Sequence, residues 1–96
     1  MTRLIIGCGR ITLYLADGHS LKDKRRVLQS IISRMRSKFN VAVAEIADQD
    51  LWQKITLGIA VIGGNSAHAG SQLQAIIDWL EAEPRLRVGE VETEIL

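Results

Sequence analysis

The sequence predicts an α+β domain with the element order βαββαβ, in which a four-stranded antiparallel sheet carries two helices on one face. Two observations predict this fold. Four segments concentrate or alternate apolar and β-branched residues as strands do, and two segments between them repeat apolar residues at three- and four-residue steps. The 96 residues show no break in composition, and a content of 47% hydrophobic and 24% charged residues predicts a single domain over residues 1–96.

The first strand is predicted over Leu4 to Leu15. Ile11 and Leu13 share one parity with Gly7 and Gly9, whose missing side chains would admit a closely packed helix or mark a bulge. The alternation stops at Asp17-Gly18, so we expect the chain to turn there.

The first helix is predicted to begin at Ser20, because Asp23 follows three residues later as in a capping box. An apolar series at helical spacing forms one face: Leu28, Ile31, Ile32, Met35 and Phe39. The opposite side of the helical wheel is polar and basic: Lys22, Arg26, Gln29, Ser33 and Arg36. We expect this helix to end at Asn40, burying one face and exposing a basic one.

Two strands should follow, since residues 41–46 are β-branched or small and the polar residues 48–50 indicate a turn. After Trp52, apolar residues alternate up to Gly63-Gly64, and Asn65 or Ser66 can cap a second helix. Pro84 prevents that helix from continuing. The last strand, residues 88–96, alternates glutamates with apolar residues, so we expect one wet face.

This order is that of ferredoxin-like folds, and its topology predicts which loops meet. Residues 17–26, 48–52 and 83–85 should gather at one end of the sheet. The second face of the sheet is left open to solvent or a partner. Ile6, Tyr14 and Ile62 have the parity of that open face, so we expect it to form a homodimer.

The net charge of +1 hides two oppositely charged regions. Seven positive residues lie between positions 22 and 38 with one aspartate, whereas glutamates crowd the C-terminal end. Such a cluster can contact nucleic-acid phosphates. The candidate nucleic-acid-binding residues are Lys22, Lys24, Arg25, Arg26 and Arg36. The strands offer one aromatic residue, Tyr14, so we expect recognition of phosphates or shape rather than base stacking.

The positive residues at the start of the first helix oppose its dipole and should be compensated. Asp48 and Asp50 could pair with them as a structural clamp, or free backbone N–H groups and these bases could form an anion site. Lys24 falls toward the apolar face of the helix. With His19 and Trp52, the two aspartates form a candidate binding or structural cluster.

We predict neither catalytic residues nor metal ligands nor a cofactor. Cys8 lies within a strand without a histidine nearby, and Gly7-Cys8-Gly9 lacks the third glycine of a dinucleotide loop. Acylphosphatases of similar topology carry an arginine in the loop after the first strand. The corresponding loop here, Asp17-Gly18-His19-Ser20, contains no arginine. A small-ligand or protein-binding regulatory module, resembling ACT domains and acting as a homo-oligomer, stays open as the alternative.

Several motifs in order resemble the YlxP-like family of bacterial proteins of unknown function. They are His19 to Arg26, Phe39-Asn40-Val41, Ala44-Glu45, Asp48 to Gln53, Leu57-Gly58, Asn65 and His68. The resemblance covers nearly the whole chain and departs from the family at Gly63-Gly64. The resemblance implies a small ferredoxin-like domain. It also implies a link to translation, because genes of this family commonly lie beside those for translation initiation and ribosome-binding factors.

The function expected from the sequence is that of a non-enzymatic accessory protein associating with ribosomal or other structured RNA. A lone cysteine and the lack of a charged leader before the first strand favour a cytoplasmic location. Apolar runs are far shorter than the roughly 18 residues that span a bilayer, so no membrane segment is expected.

Overall fold

The computed structural model describes residues 3–96 and contains four strands and two helices in the order βαββαβ. Their bounds are β1 Ile5–Leu15, α1 Leu21–Lys38, β2 Ala42–Ala47, β3 Lys54–Gly63, α2 Ser66–Glu81 and β4 Leu86–Ile95. The predicted α+β arrangement is confirmed. Neither helix is long and apolar enough to cross a bilayer.

All strands belong to one antiparallel sheet with the order β2-β3-β1-β4. The register between β1 and β3 is regular and pairs Ile6 with Ile62. The register of β1 with β4 shifts between Ile11 and Leu13. Between these pairs β1 advances two residues and β4 three, so the bulge lies in β4 at Gly89-Glu90 and not at the glycines of β1 where the sequence suggested one.

Both helices cover the same face of the sheet and close one hydrophobic core. Its members alternate along the strands and recur at helical spacing, as predicted. Gly7 admits close packing of α2, because a Cβ there would lie 3.0 Å from Leu73 Cδ1 and 3.2 Å from Val61 Cγ2. A Cβ on Gly9 would instead lie 3.2 Å from Ile59 Cγ1 of β3.

The helix caps lie where the sequence predicts them. Ser20 is the N-cap of α1, and its side chain accepts a hydrogen bond from Asp23 N. Asn65, rather than Ser66, caps α2, and its Oδ1 accepts from His68 N at 2.8 Å. Phe39 closes α1 one residue before the expected end.

The loops meet as the topology predicts. Leu15 N donates to Gln53 O, and Ala16 N donates to Arg85 O, both at 3.0 Å. These bonds join the chain after β1 to the segments before β3 and β4. The start of α1, the β2–β3 turn and the α2–β4 loop therefore form one end of the molecule, and the cap of α2 lies at the other.

β4 differs from its prediction as a strand with one wet face. Its glutamates are exposed, but Val91 and Ile95 on the other face are also 38% and 39% exposed. Alternation reports which side chains share a face, whereas it carries no information on how far a helix extends over that face. From Gly89 onward β4 is exposed on both sides.

Replacing Gly7 with valine should lower the free energy of unfolding by about 1–3 kcal/mol, because the added methyl groups would overlap Leu73 of α2. Urea denaturation followed by circular dichroism measures the change. As a contrast, Gly70→Ala within α2 adds a Cβ with no atom inside 4 Å and should stabilise the protein by about 0.5–1 kcal/mol. A Gly7→Val protein as stable as the wild type would contradict the close packing of α2 on β1.

Candidate nucleic-acid interface

Four of the five predicted nucleic-acid-binding residues lie on the solvent side of α1. Lys22, Arg25, Arg26 and Arg36 are exposed, and at 3.6 residues per turn they fall within about a third of the helix circumference. We call these four residues the basic face of α1. Lys24, the fifth, is only 1% exposed and cannot reach a phosphate, so its prediction as a nucleic-acid ligand is wrong.

The ammonium group of Lys24 is instead held by three groups at the end of the sheet. Its Nζ donates to the backbone carbonyl oxygens of Asp48 at 2.8 Å and Gln49 at 3.4 Å. It also lies 2.7 Å from Glu45 Oε2. A buried cation is tolerated only when it is paired and hydrogen-bonded, and these contacts meet that requirement.

The expected clamp of aspartate carboxylates on the start of α1 is therefore wrong in its chemistry. Asp48 reaches Lys24 through its carbonyl, while its carboxylate accepts from Thr56 Oγ1 at 2.6 Å and lies 3.4 Å from Lys54 Nζ. The Thr56 hydrogen bond holds the pKa of the Asp48 carboxyl below its ordinary range. Asp50 is exposed and makes no ion pair or side-chain hydrogen bond with any described residue.

Asp48 can turn its two groups in different directions because of its backbone. Its φ is +61°, in the left-handed region that aspartate tolerates better than most residues. The carbonyl thus points to the helix side of the sheet and the carboxylate to the strand residues Thr56 and Lys54.

Glu45 is a partner that the sequence reasoning missed. It pairs in register with buried Leu57 and lies two residues after buried Val43, so its side chain points to the helix side of the sheet. Its Oε2 is buried and accepts no hydrogen bond of regular geometry from residues 3–96, which leaves the ion contact with Lys24 to compensate it. The available signal was a pair of opposite charges, Lys24 and Glu45, both at positions with core parity.

The remaining members of the predicted cluster meet at the same end. The rings of His19 and Trp52 make an edge-to-face contact with centroids 5.9 Å apart. This contact joins the loop before α1 to the β2–β3 turn. Both residues are exposed, and Trp52 is not among the residues packed against the hydrophobic core.

The N-terminus of α1 is occupied by its own side chains. Asp23 Oδ2 accepts from the backbone N–H of His19 at 3.0 Å, and Ser20 Oγ accepts from Asp23 N at 3.1 Å. The His19 hydrogen bond is the main cause that lowers the pKa of Asp23. An internal carboxylate thus lies where the alternative prediction would put an external anion.

Glu83 gathers the positive charges on the other flank of α1. Its carboxylate accepts from Arg34 Nη1 at 3.1 Å and from Arg85 Nε. Arg85 also donates to Ser30 Oγ at 3.3 Å, and the Arg34 guanidinium lies 5.2 Å from the centre of the Trp79 ring. Arg34 is therefore committed to the contact between the helices and does not belong to the basic face of α1.

A groove of about 600 Å³ runs beside the basic face, between α1 and the edge strand β2. Its lining includes Gln29, Ser33, Ser37 and Arg36, whose polar groups can donate to an oxygen-rich ligand. Arg36 Nη2 donates to Val43 O at 3.2 Å, which holds one wall of the groove to the strand edge. Among residues 3–96, no three His, Cys, Asp or Glu side chains are placed to hold a metal ion.

Comparison with known proteins identifies a family and a relative of this chain, and neither description names an activity. Residues 6–93 match the family described as "Protein of unknown function (DUF503)". The chain is also 34% identical over 82 residues to the uncharacterized protein YlxP of Bacillus subtilis (strain 168), a match that covers 85% of this chain and 89% of that protein.

Replacing Lys24 with methionine should lower the free energy of unfolding by roughly 2–4 kcal/mol, because it leaves Glu45 without its counter-charge in a partly buried site. The double variant Lys24→Met/Glu45→Leu should recover much of that loss, since both charges are gone. Urea denaturation of the four proteins in this cycle measures the coupling. Asp50→Asn is the control and should leave stability unchanged, and additive effects of Lys24 and Glu45 would rule out the pairing.

Acid should destabilise the protein partly through Glu83. The hydrogen bond from Arg85 holds its pKa below the ordinary value of 4.5, so its ionised form contributes stability that is present above pH 4.5 and lost as the pH falls through the lower folded-state pKa. Glu83→Gln should therefore lose less stability than the wild type between about pH 5 and about pH 3. Urea midpoints across that range test the slope, and parallel curves for both proteins would contradict the assignment.

Proposed function

Because the chain belongs to the DUF503 family, whose description assigns no function, we propose one from its surface: it is a non-enzymatic cytoplasmic accessory protein that binds structured RNA, free or within a ribosomal particle. The basic face of α1 makes the contact. Phosphates are the groups it recognises.

The observation that carries this proposal is that the four cations on that face are not paired with carboxylates of the described residues. No carboxylate of residues 3–96 lies within salt-bridge distance of Lys22, Arg25, Arg26 or Arg36. Unpaired lysine and arginine side chains on one helix face can replace the counterions of a nucleic-acid backbone, which gives affinity without sequence preference. Two other cations of α1, Lys24 and Arg34, are instead paired within the fold with Glu45 and Glu83.

The groove beside the basic face supports structured RNA over a flexible single strand. It offers amide and hydroxyl donors from Gln29, Ser33 and Ser37 next to the guanidinium of Arg36. Such donors suit phosphate oxygens and ribose 2′-hydroxyls, which RNA helices display across their shallow groove. The strands offer no pair of stacking aromatics, and the ring of Tyr14 is covered by the Arg87 guanidinium at 4.6 Å.

Reversing two charges on the basic face should weaken RNA binding and its salt dependence. In Lys22→Glu/Arg26→Glu, each lost phosphate contact should reduce the slope of log K against log salt by about one unit. The helix should stay folded, because both side chains are exposed and acidic residues suit the first turns of a helix. Fluorescence anisotropy with a labelled ribosomal RNA hairpin at submicromolar protein, across a salt series, measures both quantities.

The matched control is Arg3→Glu/Arg10→Glu, which makes the same change in charge on exposed residues of the first strand and the segment before it. It should bind nearly as the wild type does. Equal loss in both double variants would mean that only net charge matters, and no binding by the wild type would remove the RNA proposal in favour of a small-ligand or protein-binding module.

A further inference from the structure

The outer half of β4 lies at an open edge of the sheet. Within residues 3–96 this strand pairs with β1 alone, and residues 89–95 are exposed on both faces. The bulge at Gly89-Glu90 precedes a stretch of regular register, residues 91–95, which we call the free edge of β4. At the opposite edge of the sheet, Arg36 Nη2 already donates to Val43 O. The edge formed by β4 is therefore the more accessible one for a further strand.

Three residues of the free edge direct their backbone groups outward. Leu96 N donates to Ile6 O at 2.7 Å, so Leu96 and every second residue before it bond to β1 in this antiparallel pair. The residues between them, Val91, Thr93 and Ile95, therefore point their N–H and C=O groups away from the sheet. Each of them can exchange a pair of hydrogen bonds with an added antiparallel strand.

The side chains of this half of β4 differ in chemistry between its two faces. Glu90, Glu92 and Glu94 are exposed on the open face, and none of them forms a salt bridge with a described residue. Val91 and Ile95 lie on the helix side and are 38% and 39% exposed. A strand that covers both faces must therefore alternate basic with apolar side chains.

The glutamates outnumber the cations close to them. Arg10 of β1 pairs in register with Glu92 and offsets one of the three carboxylates. Lys54, on the next strand, lies 3.4 Å from the carboxylate of Asp48. Because β4 is the outermost strand, an approaching partner meets the excess negative charge first, which favours a basic partner and opposes a polyanion.

The same glutamates oppose the pairing of β4 with a second copy of itself. Antiparallel pairing brings outward-directed residues opposite one another. The registers that join Val91, Thr93 and Ile95 to their copies consequently place Glu92 or Glu94 opposite another glutamate. Like charges directly opposite each other destabilise a strand pair, so the free edge suits a different chain.

We propose that the free edge of β4 binds an extended segment of a partner protein in which lysine or arginine alternates with apolar residues. The segment adds an antiparallel strand to the sheet and bonds to the backbone of Val91, Thr93 and Ile95. Its basic side chains lie opposite the glutamates, and its apolar side chains pack beside Val91 and Ile95. This contact is separate from RNA binding, because α1 lies beside β2 at the other edge of the sheet.

Two peptides of identical composition test the alternation. A fluorescein-labelled peptide of about seven residues that alternates lysine with valine should bind the wild-type protein at low salt. A peptide with the same residues but consecutive lysines should bind about tenfold more weakly or less, because it cannot place its charges on one face of a strand. Fluorescence anisotropy with protein up to about 500 µM measures each Kd.

Two variants separate the backbone contact from the charges. Thr93→Pro removes an outward N–H, which a strand edge tolerates, and should weaken binding of the alternating peptide by about tenfold or more. Glu92→Lys/Glu94→Lys should weaken it by a similar factor. The matched control, Asp17→Lys/Asp50→Lys, makes the same change in charge on exposed loop residues and should bind as the wild type does. Circular dichroism checks that each variant is folded.

Hydrogen exchange followed by NMR locates the contact. The alternating peptide should slow exchange of the amide protons of Val91, Thr93 and Ile95 in the wild type. No binding by the wild type, equal affinity for the two peptides, a folded Thr93→Pro protein that binds as the wild type does, or protection confined to other strands would each overturn the proposal. Wild-type protein that self-associates without peptide, and that Thr93→Pro dissociates, would assign the free edge to a second copy instead.

Discussion

The buried ammonium group of Lys24 is the constraint on which the functional end of this protein depends. A cation with almost no exposure needs its partners within hydrogen-bond distance. Glu45 at the end of β2 and the carbonyl of Asp48 in the following turn provide them. One side chain of the first helical turn thereby fixes the position of α1 against the edge strand, and with it the direction in which the neighbouring exposed cations point.

Pairing inside the fold also decides which positive charges are available to a partner. Seven cations lie between residues 22 and 38, yet Lys24 and Arg34 are neutralised by Glu45 and Glu83. The carboxylates that do this come from β2 and the α2–β4 loop, far away in the chain. Tertiary contacts thus decide which cations of α1 remain available at its outer surface. The number of cations in the segment overstates how many can contact a partner.

Local sequence patterns were sufficient to predict the topology, the helix cap at Ser20 and the loops that meet at one end, and they narrowed the cap of α2 to Asn65 or Ser66. These features depend on neighbouring residues or on chain direction alone. The partner of Lys24 could not be predicted in the same way, because the choice between Glu45 and the Asp48 carboxylate depends on which face each side chain takes after a turn with positive φ. The RNA and dimer expectations stay predictions, since they concern molecules outside this chain.

The outer half of β4 has a consequence for local stability. From Gly89 to Ile95 the strand is exposed on both faces and is held chiefly by its ladder to β1. Segments with few buried apolar contacts open with a smaller free energy than the rest of a domain. In an isolated copy, the amide protons of this strand should therefore exchange with solvent long before those of β3 do, and the sheet should begin to unravel from this edge while the core beneath the helices is still closed.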